Sequence, residues 1–210
     1  MVSNNSAAEA LGRLREGNTR FASHVVSVDA LARRLARDQF GGEARPFAIV
    51  LGCSDARAPA ELVFDQGLGD LFVIRVAGNV VSPSQVGSVE FAAELYRARL
   101  VVVMGHTRCG AIEATLDAIE GKGGPTSTNV MSIVQRVRPA VETVRDAGPD
   151  LDRASVLRKA VRANVRTSVE HLRHGSAVLE ELIQRDGLAV VGAEYDVESG
   201  RVEFFDIAGT

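Results

Sequence analysis

Short, continuously aliphatic runs alternate along this chain with longer stretches whose apolar residues recur every three or four positions. The runs at 47–51, 71–76, 100–104, 188–193 and 201–205 read as strands. Between them, 59–64, 84–97, 110–120, 129–145, 155–173 and 176–185 read as helices. The stretch 155–173 has the clearest apolar stripe, with Leu157, Val161, Val165, Val169 and Leu172 at helical spacing. Pro139 is expected to kink or break the helix over 129–145. Two further helices are expected ahead of the first strand. One spans 7–21, with Ala7, Leu11, Leu14 and Phe21 near one face; the other spans 28–37 and is closed by Gly41-Gly42.

Strands that are apolar throughout, rather than at every second position, imply a sheet covered on both faces. Their alternation with helices predicts an α/β fold around a mostly parallel central sheet. The turn Glu198-Ser199-Gly200 is too short for a crossover, so the last strand is expected antiparallel at an edge. The whole chain, 1–210, reads as one domain, with 1–45 a helical arm that wraps a surface or packs on a partner subunit. The glycine-rich segment 121–128 reads as a loop; no strand feeds it and P-loop spacing is absent, which argues against a phosphate cradle.

Composition narrows the partners. A net charge of −3, with acids interleaved among the arginines, gives no reason to expect nucleic acid or a membrane surface. No apolar run is long enough to span a bilayer, and the amino terminus does not read as a secretory signal, so the cytoplasm is the expected compartment. Two cysteines in 210 residues do not make a disulfide scaffold.

Those cysteines carry the chemistry. Cys53 opens Cys53-Ser54-Asp55-Ala56-Arg57 and Cys109 closes His106-Thr107-Arg108-Cys109, each stretch following an aliphatic strand and a glycine. Ligands of open α/β sheets gather beyond the carboxyl ends of strands, where strand order reverses. Two sulfurs, one imidazole and one carboxylate delivered there suit Zn²⁺. Cys109 would also begin a helix, whose amino-terminal dipole favours the thiolate. Three other readings stay open: a Cys53–Cys109 disulfide, two buried cysteines without metal, and a closed structural zinc site with Asp55 as fourth ligand. The first two leave His106 and Asp55 unexplained, and Arg57 is well placed to hold Asp55 away from a metal. His171 and His174 read as part of a solvated helix face, and His24 lies in the arm.

The two motifs closely resemble those of the β-class carbonic anhydrases. The resemblance extends through residues 64–75 and Gly87-Ser88-Val89-Glu90-Phe91, and covers nearly the whole chain from Asn18-Thr19-Arg20-Phe21 to the last strand. It implies a parallel four-stranded core with a further edge strand, and a homodimer or homotetramer. It also implies one zinc ion per chain on Cys53, His106 and Cys109, with a fourth position open to water or hydroxide. The zinc-bound hydroxide would attack CO₂ to give bicarbonate and a proton. Asp55, paired with Arg57, would accept the hydrogen bond of the zinc-bound oxygen, and Gly110 would help hold bicarbonate or CO₂. Phe72 and Phe91 match pocket-lining aromatics contributed across a dimer interface. Release of Asp55 from Arg57 onto the zinc would close the site at acid pH.

The chain departs from the family pattern at two places. Ala44 stands where plant-like members carry a substrate-binding glutamine, and Val50 where another subgroup carries a tryptophan of a regulatory bicarbonate site. Arg75 matches a further member of that regulatory site, and reads equally as a structural donor to nearby carbonyls. Two rival functions share the scaffold: hydrolysis of carbonyl sulfide or carbon disulfide, and non-catalytic binding of zinc or bicarbonate in a regulatory protein. An intact Asp55–Arg57 pair counts against the second.

Overall fold

The computed structural model describes residues 6–35, 45–123 and 127–206. The expected helix stop at Gly41-Gly42, Arg37 at the end of that helix, and Ala44 lie outside the described residues. Five strands, β1 (Ala48–Gly52), β2 (Leu71–Arg75), β3 (Leu100–His106), β4 (Ala189–Tyr195) and β5 (Val202–Phe205), form one sheet in the order β2-β1-β3-β4-β5. The first four are mutually parallel and β5 runs antiparallel to β4, as the short turn before it requires. The fold is α/β, with a mostly parallel sheet flanked by helices.

The sheet sorts its residues by parity, because successive side chains of a strand point to opposite faces. Val50, Val102, Met104 and Val191 join one apolar cluster with Ala10 and Leu14 of α1 (Ala7–Ala22), and with Val63 of α3 (Ala60–Val63). Ile49, Leu51, Val101, Val103 and Val190 face the other way. They meet Val89 of α4 (Pro83–Leu95), Val165, Val169 and Leu172 of α7 (Arg153–His174), and Leu179 of α8 (Ala177–Arg185). A third cluster lies past the strand ends. There Ile112 and Leu116 of α5 (Gly110–Ile119) pack on Val137 and Val141 of α6 (Thr128–Ala147), and on Val156 and Val161 of α7.

Local signals explain several boundaries. Ser6 and Glu9 form a reciprocal capping box at the start of α1, which packs its buried residues against this chain's own sheet. The short α2 (Val28–Leu35) buries Ala30 but leaves Val28 81% and Leu31 46% exposed. Of the kink or break expected at Pro139, the break is absent: α6 continues through the proline. Val137, Ala140 and Val141 around the proline are all buried, so packing offsets the missing backbone donor.

Strand β3 also runs two residues beyond its aliphatic core. Gly105 pairs with Glu194 and His106 with Tyr195, so β4 extends the ladder past the point where the sequence pattern stops. Gly105 is required where it stands: a Cβ there would lie 2.6 Å from Val165 Cγ2 and 3.2 Å from Val161 Cγ1. Its bare backbone lets α7 rest directly on β3. The order of strands reverses between β1 and β3, since the chain leaves β1 for β2 on one side and returns to β3 on the other. Among the described residues no helix is long and apolar enough to cross a membrane.

Candidate metal centre

The reversal point brings three side chains together. Cys53 follows the last residue of β1, His106 is the last residue of β3, and Cys109 is the N-cap of α5. One ligand atom from each lies within 4.8 Å of the other two, and all three residues are buried. Neither cysteine is in a disulfide. His106 is strand-terminal, whereas the sequence pattern put it one glycine beyond the strand.

The imidazole is oriented from its backbone side. Nδ1 lies 2.9 Å from the Thr107 carbonyl oxygen, so Nδ1–H donates and Nε2 keeps its lone pair. That Nε2 is buried with no hydrogen-bond partner. A buried acceptor left unpaired is costly, and a cation between it and the two sulfurs would remove the cost. Thr107 is itself clamped to β4 and the turn beyond: its N–H donates to Tyr195 O at 2.9 Å, and its Oγ1 accepts from Val197 N–H at 3.1 Å.

The sulfurs divide one charge. The Cys109 thiol beside it draws Cys53 downward against its burial, with further help from His106 and the backbone N–H groups of Asp55 and Gly78. The Cys53 sulfur and burial push Cys109 upward, opposed by the Ile112 and Ala111 N–H groups at the start of α5. Burial depresses His106, but the Cys53 sulfur and the Thr107 carbonyl overcome it and raise the imidazole. One thiolate therefore forms readily and the second needs a cation, which deprotonates coordinating thiols outright. Two soft donors and one imidazole fit a divalent ion of borderline softness.

Asp55 stands beside this trio without joining it. Its Oδ1 accepts from Arg57 N–H and Nε–H, both at 2.9 Å, and its Oδ2 accepts from Nη2–H at 2.8 Å. Arg57 thereby holds the carboxyl well below the usual carboxylate range, with His106 assisting against burial. Oδ2 still lies 4.0 Å from His106 Nε2. Arg57 Nη2 also donates to the Arg108 carbonyl at 3.1 Å, which ties the loop after β1 to the loop after β3. Arg75 donates to the carbonyls of Cys53 at 3.0 Å and Asp55 at 2.5 Å, which gives it the structural role of its two readings.

Gly110 follows Cys109 as the exposed first residue of α5. A cavity of about 620 Å³ opens beside Cys109, bounded by Ile112, Leu157 and Val161 and by the charged Arg108, Glu113 and Arg158. Phe72 and Phe91 do not line it. They form an aromatic trio with Tyr96, ring centroids 6.0–6.3 Å apart, on the α4 side of the sheet. His174 pairs with Glu170 at 3.3 Å. One contributor escaped the sequence reading altogether: the N–H of Gly78, in a 3₁₀ turn at Ala77–Asn79, donates to Cys53 Sγ at 3.3 Å. The only signal for it was the Gly-Asn pair after β2.

Comparisons with known proteins agree with this geometry. A family model described as carbonic anhydrase matches residues 48–202. The chain is 37% identical to a carbonic anhydrase of Mycolicibacterium smegmatis over 95% of its length and 94% of the relative's. It is also 37% identical to carbonic anhydrase 2 of Mycobacterium tuberculosis, over 98% of this chain and 96% of that one. Among solved structures, the β-carbonic anhydrase CafA of Aspergillus fumigatus superposes with a TM-score of 0.75 at 26% identity, covering 97% of this chain and 92% of that one. The β-carbonic anhydrase CcaA gives 0.75 at 25% identity, over 93% and 87%. With a Cys–His–Cys cluster at the β1/β3 reversal point and relatives matched along nearly their full length, the chain belongs to the β-class carbonic anhydrases.

Proposed function

We propose that this protein is a cytoplasmic zinc enzyme that interconverts CO₂ and bicarbonate, with one Zn²⁺ per chain held by Cys53 Sγ, His106 Nε2 and Cys109 Sγ. The observation that carries the reading is the buried His106 Nε2, unpartnered and facing two free sulfurs. Free thiols also fit a reducing compartment. When bound, zinc supplies a Lewis acid that brings the pKa of water to roughly 7.

The remaining work falls to this chain's own groups. Arg57 occupies Asp55 Oδ1 with two donors and Oδ2 with one, leaving Oδ2 able to accept one more hydrogen bond. Asp55 stays ionised and acts at Oδ2 as an acceptor that turns the lone pair of the attacking oxygen toward CO₂. Since Asp55 is engaged by Arg57, it would not be among the groups that hold the ion in this arrangement. Gly110 N–H, at the start of α5 where the helix offers it no acceptor, binds a bicarbonate oxygen.

Phe72 and Phe91 enclose the apolar substrate from a neighbouring subunit. Phe91 is 52% exposed and Leu95 60%, an apolar surface that a second copy would cover in a homodimer or a homotetramer built from it. The exposed Val28 and Leu31 of the arm pack on that copy as well.

Stopped-flow CO₂ hydration on zinc-quantified protein, with carbonyl sulfide run in parallel, tests the proposal. Rapid CO₂ turnover supports it. Turnover of the sulfur compound alone would reassign the substrate, and one zinc per chain without turnover of either would reduce the protein to a binding module.

A further inference from the structure

Helix α7 carries two polar residues where its buried stripe is otherwise aliphatic. Asn164 is 2% exposed and Ser168 4%, among Val161, Val165, Val169 and Leu172. They stand one turn apart, on the same face. Polar groups buried in such a stripe destabilise unless they are bonded, and these two have definite partners. Asn164 Nδ2 donates to the Gly78 carbonyl at 2.8 Å, and Ser168 Oγ donates to the Asn79 carbonyl at 3.0 Å.

Both bonds land on the 3₁₀ turn that addresses Cys53. Gly78 has φ +68 and Asn79 φ +44, so two successive residues lie in the left-handed region. A Cβ on Gly78 would approach Ala111 Cβ to 3.0 Å, so glycine is needed there. Glycine is also the residue whose flanking peptide planes turn most freely. The N–H on one side of Gly78 donates to Cys53 Sγ, and the carbonyl on its other side is the one Asn164 grips.

We propose that Asn164 and Ser168 are positioning residues of the metal centre, holding the Ala77–Asn79 turn so that the Gly78 N–H stays aimed at the Cys53 sulfur. The proposal rests on Cys53 being a metal ligand. An N–H donor on a ligating thiolate withdraws charge from the sulfur and fixes its direction, as outer partners of metal ligands do. Loss of either brace frees the peptide planes around Gly78, the donor leaves the sulfur, and the ion is held less tightly.

The test compares Asn164→Ala, Ser168→Ala and Ser168→Thr with the parent protein. Thr167→Ala serves as control, since that hydroxyl donates to Ala163 O on the exposed side of the same helix. Zinc release to a chelator is expected to accelerate about 10-fold in Asn164→Ala and about 3-fold in Ser168→Ala. The sulfur-to-metal charge-transfer bands of the cobalt(II)-substituted proteins should shift in the same order. Ser168→Thr, which keeps the hydroxyl, and Thr167→Ala should match the parent. Should Asn164→Ala fail to fold, the two Ser168 variants decide. Unchanged zinc release and cobalt spectra in Ser168→Ala, and in Asn164→Ala where it folds, with only the metal-free melting temperature lowered, would overturn the brace. Full zinc retention by Cys53→Ser would instead remove the ligand assignment beneath it.

Discussion

The metal centre and the aromatic trio contrast in how much of each a single chain supplies. At the centre, polar contacts within the chain hold the ligand residues in place. Thr107 orients His106, Arg75 and Arg57 tie the ligand loops, and Gly78 addresses Cys53. Phe72, Phe91 and Tyr96 also touch one another, yet Phe91 is half-exposed and the neighbouring Leu95 more so. Metal chelation needs a few atoms placed to a fraction of an ångström, which one backbone can provide. Under the proposed function, enclosing a small apolar gas needs wall area, and in a single chain Phe91 and Leu95 stay exposed.

The contrast breaks most sharply at the ligands. Cys53→Ser is expected to drop zinc from one per chain to a trace and CO₂ hydration by more than about 100-fold, exceeding what outer partners cost. Its assembly state by light scattering should not change; dissociation would show that centre and patch are not separable. Arg57→Ala is expected to keep zinc while kcat/KM falls about 100-fold, through loss of an oriented acceptor at Asp55. Full activity at every pH would remove both roles given to the pair.

Phe91→Asp reverses the experiment. Self-association should weaken about 30-fold in sedimentation equilibrium, while zinc content stays at one per chain. A tight dimer in this variant would move the interface elsewhere. Gly105→Ala probes the strand beneath the centre: the added methyl collides with Val165 and should cost about 1–3 kcal/mol in denaturant unfolding.

The smallest effect belongs to Asp196, whose carboxylate accepts from the Ser199 N–H at 2.8 Å and the Glu198 N–H at 2.9 Å in the β4–β5 turn. The Ser199 and Glu198 N–H groups hold it below the usual carboxylate range against burial. A folded-state value lower than the unfolded one means that the unfolded chain takes up the proton first. The stabilisation is therefore full above the ordinary carboxylate pKa of about 4, and is lost as pH falls through the folded value. The gap in melting temperature between the parent and Asp196→Ala should accordingly be present at pH 7 and close in acid.

Strand placement and the ligand motifs were legible because both are local. Aliphatic runs mark β1 and β3, and Gly52-Cys53 and Gly105-His106 stand at their ends. The extension of β3 through His106 was not, since it depends on pairing with β4, distant in the chain. Nor was the continuity of α6 through Pro139, where buried neighbours outweigh a local breaker. Gly78 and Asn164 stayed hidden for a related reason. A backbone N–H has no letter of its own, and a polar residue in an apolar stripe does not name its partner. The sequence left Arg75 two roles, and two carbonyls within reach of its guanidinium give it the structural one.

The crossover between β1 and β3 bears on the order in which the molecule assembles. The link from Arg57 to the Arg108 carbonyl closes a separation of 51 residues, with β2 and α4 inside the loop it shuts. Distant pairings of this kind come together slowly. The apolar clusters on both sheet faces would then drive collapse, and an ion held on the proposed ligands would be captured by a chain already near its native shape. Chelator present during refolding should leave the folding rate alone and lower only the yield of loaded protein.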